Sequence, residues 1–498
     1  MTASTEEETV KPGLLARSYA SAQLVWKFKR YIPTVATTAI QYYTPGSSTY
    51  HESWPFTVAC FVALARYSSE SARAERALNP DKKIDVVVET QKNRKRIEGL
   101  IVPKHLPKNG AIHEIAFKVK KRGISGVLEQ SDSEENGERE VKAEWSVHSS
   151  FISGDATLSD KVILYVHGGA YCLLSPKTHR ASCLALSKEL NCRVLSVDYR
   201  LAPETKFPGA LHDAVSAYFY LTEDLKIPSS NITVAGDSAG GNLASALLLY
   251  LRDASLPQLR GGILLSPWVD FTSSFASHDS QKATDYIAID ENDPLLPMPL
   301  FVRTPEDLTH PYVSPSISGS LKDLPPLIVM AGGGEILRDE ITMFAQRADR
   351  DGVDVTHEVF EGGPHVFIAV MEKGIGKKGM ENIGKWANEG GRFEETKKIE
   401  SQEWTAIGEE LKKEYDARLG SIPPMKEDDS KGVTQDRFIY EETIEDAPEV
   451  GLRETASPDA RKAFEENSRH PPRKGLTKVV RTKRNPQFNG GFLGRLHL

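Results

Sequence analysis

Short runs of apolar, largely β-branched residues recur along the chain from about residue 160, and segments with helical periodicity separate them. The runs are KVILYVHGG (161–169), RVLSVDYR (193–200), NITVAGDS (231–238), GGILLSPW (261–268), PLIVMAGGG (326–334) and VTHEVFEGG (355–363). Strands that are apolar on both faces belong inside a sheet that helices cover on each side, and such sheets are mainly parallel. The pattern therefore predicts an α/β fold with a mainly parallel central sheet flanked by helices.

Three segments upstream give a weaker strand pattern. They are IDVVVET (84–90), IHEIAFKVKK (112–121) and VKAEWSVHSS (141–150). We expect the second and third of these segments to form antiparallel edge strands that lead into the sheet.

The same patterns divide the chain into three regions. Residues 1–110 form a helical, partly apolar cap region, and residues 111–390 form the α/β core, with a second cap segment inserted at about 270–315. Beyond residue 391 the pattern fades into one amphipathic helix and a polar tail. Residues 391–498 are therefore predicted to be a charged, largely disordered extension.

The end of this extension is basic. The final 30 residues, from Arg469, contain eight Lys/Arg and no Asp/Glu. Apolar residues lie among these charges, including Val479, Val480, Phe488, Phe492, Leu493, Leu496 and Leu498. A segment of this kind can lie on an anionic membrane surface, where each basic group contributes about 1 kcal/mol. Lipid contact and a solvated tail without a partner are the two alternatives here.

Composition restricts the function classes. The formal net charge of −7 over 498 residues gives no overall attraction to nucleic acid. The stretch DENDPLLPMP (290–299) has three carboxylates but lacks the ligand spacing of a calcium loop, so no metal or cofactor is predicted. The four cysteines lack CxxC spacing and are predicted to be free thiols in a reducing compartment; they are Cys60, Cys172, Cys183 and Cys192.

Targeting signals are also missing from the pattern. The N-terminal MTASTEEETV is acidic, unlike a secretory or mitochondrial address. The apolar stretch WPFTVACFVALARY (54–67) is shorter than the roughly 20 residues that span a bilayer. We therefore expect no signal peptide, no transmembrane helix and a cytoplasmic location, with peripheral contact to a membrane or lipid droplet left open.

The stretch NITVAGDSAGGNLASALLLYL (231–251) places a serine at the corner between a strand and a helix. Its GDSAG (236–240) has the G-x-S-x-G form, in which glycines relieve clashes at a sharp turn and the serine projects above the sheet. A serine that only caps the helix is the structural alternative. The strand–turn–helix context favours Ser238 as a nucleophile.

A reactive serine needs a base that accepts its proton and N–H groups that bind the oxyanion. YVHGGAY (165–171) follows a strand and resembles the HGGG-type oxyanion loop. Gly168 and Gly169 allow close backbone approach, and Ala170 keeps its N–H where glycine is more usual. We predict that these three residues and Ala239, which follows the serine, form the oxyanion site.

These motifs occur together with several others in a characteristic order. HGGAY, DYRLAPE, FPGALHDA, GDSAGGNL, LSPWVD and LPPLIVMAGGGEILRDE resemble the hormone-sensitive-lipase-like branch of the α/β-hydrolases (α/β-hydrolase fold-3) over about residues 160–370. Fungal steryl acetyl hydrolases and general esterases are the nearest kinds within it. The resemblance implies a Ser–acid–His triad, a helical cap built partly from the N-terminus, and hydrolysis of carboxylic esters without a cofactor.

The triad partners follow from the chain order nucleophile, acid, base of this fold. FEGGPHVFIAV (360–370) ends a strand and presents His365 in the next loop, which predicts the base. GGGEILRDE (332–340) places Glu335 where the family usually has Asp, and a Glu can orient an imidazole as an Asp does. Asp339, one helical turn further on, competes for the role of the acid.

The sequence thus predicts a serine carboxylester hydrolase that acts on short-chain or lipid-like esters, acetyl esters among them, through an acyl-enzyme. Its expected partner is a small-molecule ester, and no nucleic acid is expected. An amidase or formamidase with the same triad is one alternative. A non-catalytic ligand-binding receptor on this fold is the other, and the presence of His365 argues against it.

Overall fold

The computed structural model describes residues 31–44, 51, 54–78, 83–103, 105–152, 159–287, 289, 293, 295–371, 374–388, 398–399, 401–419 and 438–484. The chain divides into two compact units, one ending at Leu78 and the other beginning at Asn79.

Among its described residues, the first unit contains two helices, α1 (Ile32–Tyr43) and α2 (Phe56–Ala77). Aromatic side chains join them: the Tyr42 hydroxyl donates to the carbonyl of Trp54 at 2.7 Å, and the Tyr42 ring lies edge-on to Phe56. The helical character predicted for this region holds for these residues. Its role as a cap stays a prediction.

The second unit is built on a sheet with ten strands among the described residues. They are β1 (Gly110–Lys118), β2 (Glu140–His148), β3 (Val162–Val166), β4 (Arg193–Asp198), β5 (Ile232–Asp237), β6 (Gly261–Leu265), β7 (Leu327–Gly332), β8 (Val355–Phe360), β9 (Phe438–Glu445) and β10 (Thr477–Arg484). The α-helices in the described part of this unit are α3 (Val86–Ile101), α4 (Glu129–Ser133), α5 (Arg180–Leu190), α6 (Gly209–Phe219), α7 (Ala239–Asp253), α8 (Ser277–Ser280), α9 (Pro297–Phe301), α10 (Arg338–Arg350), α11 (Phe367–Val370), α12 (Ile375–Asn388), α13 (Gln402–Leu419) and α14 (Pro458–Arg469).

The strand order is β1-β2-β4-β3-β5-β6-β7-β8-β10-β9. The strands from β4 to β10 in this order run parallel, while β1, β2 and β9 pair antiparallel with their neighbours. Every residue of β3, β5, β6 and β7 is buried, because helices cover both faces of the sheet. The predicted α/β fold class and the two antiparallel strands at the sheet's edge are confirmed.

This topology brings the chemistry-bearing loops to one edge. Parallel strands end at the same side of a sheet, and the loops that follow β3, β5, β7 and β8 carry the HGGAY loop, Ser238, Glu335 and His365 in turn. The sheet thus gathers segments that are far apart in sequence.

The segment IDVVVET (84–90), one of the three with a weaker strand pattern, is helical from Val86 onward. Asp85 caps the N-terminus of α3, and its Oδ1 accepts a hydrogen bond from the N–H of Val88 at 3.0 Å. A capping residue ahead of the β-branched run therefore outweighs strand propensity. The Arg94 side chain of α3 donates to the carbonyl of Cys172 at 2.6 Å and pairs with Glu204 at 2.7 Å. This helix belongs to the second unit, so the predicted boundary at residue 110 is wrong.

The C-terminal extension is more ordered than the sequence predicts. Helix α13 packs against the sheet edge: Trp404 lies edge-on to Trp145, and the Arg193 guanidinium lies 3.8 Å from the centre of the Trp404 ring. Glu414 of the same helix bonds to the His113 ring at 2.8 Å. The expectation of a largely disordered region from residue 391 is therefore wrong for residues 401–419 and 438–484.

Strand β10 explains where the basic residues of this extension go. It pairs in parallel with β8 and buries Val479 and Val480. Its charges and those of the preceding loop meet carboxylates elsewhere in the fold, in the pairs Lys478–Glu358 (2.5 Å), Arg473–Asp349 (3.0 Å) and Arg481–Glu361 (3.5 Å). Composition cannot reveal such partners, because they lie over 100 positions away in the chain. Residues 477–484 of the basic segment that starts at Arg469 are thus part of the sheet rather than a free tail, and residues 485–498 lie outside the described residues. Contact of the segment with lipid stays a prediction.

The cysteines agree with the sequence. All four are free thiols, and Cys172, Cys183 and Cys192 are buried. Burial raises the pKa of each of these three thiols.

The Lys478–Glu358 pair gives a stability prediction. Glu358 is buried, so Lys478→Met leaves a buried carboxylate without its cation, and we expect unfolding to become easier by about 1–3 kcal/mol, measured as a lower melting temperature. Lys474→Met is the matched control, because Lys474 is exposed and makes no ion pair within the described part of the chain. Equal melting temperatures for the two variants would contradict a stabilising role for the pair.

Candidate active site

Ser238 occupies a sharp corner between β5 and α7. Its backbone has φ +55° and ψ −123°, a conformation that a non-glycine residue rarely adopts. A Cβ on Gly236 would lie 2.3 Å from the carbonyl oxygen of Gly240, and one on Gly240 would lie 2.1 Å from that of Val166. The glycines of the GDSAG motif are therefore required by backbone-to-backbone packing, as the sequence predicts.

The structure brings Ser238, His365 and Glu335 into one hydrogen-bonded line. His365 Nε2 lies 2.8 Å from Ser238 Oγ, and His365 Nδ1 lies 2.7 Å from Glu335 Oε2. The other carboxylate oxygen of Glu335 accepts the N–H of Gly332 at 2.7 Å. The arrangement can pass the serine proton to an imidazole that a carboxylate orients.

The environment sets the protonation of this line. His365 is 4% exposed and Glu335 is fully buried. Burial opposes charge on His365, but the hydrogen bond and charge of Glu335, together with the charges of Asp285 and Asp237, raise its pKa above the ordinary value. Burial also raises the pKa of Glu335, and the contact with His365 acts in the opposite direction.

Asp339, the rival for the acid, faces elsewhere. Its Oδ1 pairs with the Arg338 guanidinium at 2.8 Å, and its Oδ2 accepts the N–H groups of Ser277 at 3.1 Å and Gly451 at 3.4 Å. Both oxygens are thus engaged away from His365. Glu335 is the one of the two carboxylates that contacts the imidazole.

The loop after β3 presents N–H groups beside the serine. Gly169 has φ +109° and Ala170 has φ +54°, and neither N–H donates a hydrogen bond within the described residues. Ala239 is the first residue of α7, so its N–H precedes the hydrogen-bond ladder of the helix. These three N–H groups remain candidates for binding an oxyanion.

Gly168 differs from the prediction. Its N–H donates to Asp237 Oδ1 at 3.1 Å, so it is not available to a ligand. A Cβ at this position would lie 2.2 Å from Asp237 Oδ2. The glycine is needed so that the loop can pass close to the Asp237 carboxylate, and its expected role as an oxyanion donor is wrong.

Asp237, which precedes the serine, is a site residue that sequence reasoning missed. Besides Gly168, its Oδ1 accepts the Tyr165 hydroxyl at 2.6 Å and lies 3.3 Å from His179 Nε2. Burial opposes the ionisation of Asp237, but the charge and hydrogen bond of His179 and the Tyr165 hydroxyl outweigh it and lower the pKa of Asp237 to about 2. An ionised carboxylate thus ties the oxyanion loop to the serine corner. The sequence feature that could have identified Asp237 as a site residue is its position in the GDSAG motif, directly before the serine.

Two other polar side chains hold the loop that carries His365. Ser266 Oγ accepts the N–H of Val366 at 3.1 Å, and Asp285 Oδ1 accepts the N–H of His365 itself at 3.2 Å. Neither lies in a motif that sequence reasoning used for the triad. In the described part of the chain, no cluster of three or more His, Cys, Asp or Glu is placed to hold a metal ion.

Comparison with known proteins agrees with this geometry. Residues 163–369 match the family described as alpha/beta hydrolase fold. An acetyl-hydrolase from Streptomyces hygroscopicus is 41% identical over 207 residues, which cover 42% of this chain and 67% of the relative. Versiconal hemiacetal acetate esterase from Aspergillus parasiticus is 29% identical over 236 residues, which cover 46% of this chain and 73% of the relative.

A solved structure gives the same answer. The crystal structure of an esterase from the bacterial hormone-sensitive lipase family superposes with a TM-score of 0.52 at 30% identity, covering 66% of this chain and 96% of that one. From its strand order, its serine corner and these similarities, the chain belongs to the α/β-hydrolase family, in the hormone-sensitive-lipase-like branch.

Proposed function

We propose that this protein hydrolyses carboxylic esters through an acyl-enzyme formed on Ser238. Membership of this family, together with relatives that are acetyl-hydrolases and esterases, makes it a carboxylic ester hydrolase. The observation that carries the mechanism is the line of hydrogen bonds from Ser238 Oγ through His365 to Glu335.

In the first half of the reaction, Ser238 Oγ attacks the acyl carbon while its proton passes to His365 Nε2. The carbonyl oxygen becomes an oxyanion, which the N–H groups of Gly169, Ala170 and Ala239 bind. Each such donor typically contributes about 3–4 kcal/mol. His365 then gives the proton to the alkoxide oxygen, and the alcohol leaves.

In the second half, water attacks the acyl group on Ser238. His365 takes a proton from the water and returns one to Ser238 Oγ as the acid departs. Glu335 keeps the proton on His365 Nδ1 throughout and stabilises the imidazolium. Because His365 must be neutral to accept the serine proton, activity falls as the pH decreases through its raised pKa.

The acyl group is expected to be short. The acetyl-hydrolase and the acetate esterase among the relatives support acetyl esters as the first class to test. The size of the alcohol is left to experiment, and sterol acetates remain among the candidates.

A non-catalytic receptor is disfavoured by the intact contact between His365 and Ser238. Amide cleavage uses the same acyl chemistry, so an amide substrate belongs in the same assay.

The cytoplasmic location stays a prediction. None of the helices in the described ranges is long and apolar enough to cross a bilayer. Lipid contact by the basic segment from Arg469 also stays a prediction.

The ester reaction predicts a covalent adduct at Ser238. A fluorophosphonate should phosphonylate Ser238 Oγ, detectable by mass on the peptide that contains it. Ser238→Ala should lose the label and lower turnover on p-nitrophenyl acetate by on the order of 10⁶-fold. A panel of p-nitrophenyl esters from acetate to palmitate, with an anilide and a sterol acetate, then gives the substrate class. Labelling that persists in Ser238→Ala would refute the assignment.

The acid is tested by two carboxylate replacements. Glu335→Gln should lower kcat roughly 10³- to 10⁴-fold, since an amide neither stabilises the imidazolium nor holds its tautomer. Asp339→Asn should cost less than about 10-fold, because Asp339 bonds to Arg338 and backbone N–H groups rather than to His365. The opposite ranking would reassign the acid to Asp339.

Lipid contact is tested with a variant ending at Arg484, which keeps β10. The removed apolar side chains are Phe488, Phe492, Leu493, Leu496 and Leu498. If they contact lipid, the full chain should co-sediment with phospholipid vesicles more than the shortened one, at equal turnover of a soluble ester. Equal co-sedimentation would support the alternative of a tail without a partner.

A further inference from the structure

A buried carboxylate outside the triad contacts both loops that carry triad residues. Asp285 lies in the segment between β6 and β7 and is fully buried. Its Oδ1 accepts the N–H groups of His365 at 3.2 Å and Tyr286 at 2.7 Å, and its Oδ2 accepts that of Ile336 at 2.8 Å. Because Ile336 follows Glu335 directly, one carboxylate bonds to the backbone of the base loop and of the acid loop.

The two loops bond directly to each other at Gly334, whose N–H donates to the carbonyl of Gly363 at 2.9 Å. Within the described residues the N–H groups of His365 and Ile336 have no backbone acceptor, and Asp285 accepts both. Leaving a buried N–H unsatisfied costs roughly 1–3 kcal/mol. The base loop has two side-chain acceptors, the charged Asp285 and the neutral Ser266, whose Oγ binds the N–H of Val366. Asp285 is also the side-chain acceptor for the acid loop, where it accepts the N–H of Ile336.

The segment that carries Asp285 is itself bonded to the acid loop. The Thr284 hydroxyl donates to the carbonyl of Gly334 at 2.8 Å, and the Ser277 hydroxyl donates to the carbonyl of Ile336 at 2.6 Å. Asp285 therefore cannot shift without moving the backbone on both sides of Glu335.

We propose that Asp285 is a positioning residue for ester hydrolysis, which holds the His365 and Glu335 loops in register and adds a second negative charge near the imidazolium. This proposal rests on the proposed function. Burial raises the pKa of the Asp285 carboxyl, and the charge of His365 and the three backbone N–H groups act in the opposite direction. The negative charge acts when His365 takes the serine proton, because a positive charge then develops in a buried site.

The charged and titratable groups facing His365 come from several elements. They are Glu335 after β7, Asp285 and Tyr286 in the inserted segment, and Asp237 at the end of β5. Burial opposes the imidazolium, and these carboxylates favour it. Removing the charge of Asp285 should therefore lower the pKa of His365, which the acid limb of kcat/KM against pH reports.

Asp285→Asn is the decisive variant. One amide nitrogen must then face a backbone N–H, and the charge is lost. On p-nitrophenyl acetate we expect kcat at the pH plateau to fall about 10- to 100-fold with KM within about twofold. We also expect the midpoint of the acid limb to move to lower pH by roughly half a unit or more.

Two matched controls separate these effects from general damage. Ser266→Ala removes the neutral acceptor from the same loop, so it can lower kcat but should leave the midpoint in place. Asp339→Asn removes a buried carboxylate that bonds to Arg338 and backbone N–H groups, and it too should leave the midpoint in place. Melting temperatures of all three variants report any loss of stability.

Wild-type plateau activity and an unchanged midpoint in folded Asp285→Asn would overturn the proposal. If that variant does not fold, Asp285→Glu decides: it keeps the charge but shifts the acceptor, so kcat should fall with the midpoint unchanged. Wild-type kcat in Asp285→Glu would also overturn the proposal. Absence of ester hydrolysis by the wild-type protein would instead refute the proposed function.

Discussion

Direct packing of backbone on backbone at the serine corner is the constraint on which the site depends. No side chain fits between the turn and the end of β3, since a Cβ on Gly240 would reach within 2.1 Å of the Val166 carbonyl oxygen. The strained conformation of Ser238 costs about 1–3 kcal/mol on its own. Strand β6 and the loop after it stabilise it: the N–H of Ser238 donates to Leu265, and its carbonyl accepts the N–H of Trp268, both at 2.9 Å. The serine is thus held by its main chain, which leaves its hydroxyl free for chemistry.

Buried carboxylates extend this control to the neighbouring loops. Asp237 accepts a backbone N–H from the oxyanion loop, and Asp285 accepts backbone N–H groups from the base and acid loops. Hydrogen bonds to a charged acceptor contribute about 1.5–3 kcal/mol, roughly twice the neutral value. Loops are usually more mobile than the strands they connect. Here the oxyanion, base and acid loops each donate a backbone N–H to a buried carboxylate, which restricts their motion.

The parts of this protein that sequence predicts are those with a local cause. The buried strands are continuous apolar runs, and the serine corner is marked by the five consecutive residues GDSAG, so both can be recognised from the sequence alone. The prediction that Gly168 binds the oxyanion is wrong because its N–H bonds to Asp237, which lies on another strand and is 69 residues away in sequence. Asp285 was missed for the same reason, since its contacts are made only when three loops meet.

The prediction of disorder for the C-terminal extension is wrong for a different reason. Its strands are polar because they lie at the edge of the sheet, and composition alone reads such segments as disordered. At residues 86–101 the sequence pattern suggests a strand where the structure has a helix. The β-branched run there is helical because Asp85 caps the N-terminus of the helix. In this segment the single capping residue Asp85 predicts the secondary structure better than the strand propensity of the residues that follow it.

The added strands also change how molecules of this protein meet one another. Without β9 and β10, strand β8 would be the outermost strand of the parallel sheet, and its unpaired N–H and C=O groups would be accessible to other chains. Such borders recruit strands from other chains and lead to aggregation. With β10 paired on β8, that row of groups is occupied and β9 becomes the outermost strand, where Glu442 pairs with Lys378 and Glu445 pairs with Arg481. Charged side chains on an outermost strand disfavour pairing with another chain, so the extension leaves a border less open to such growth than β8 alone would be.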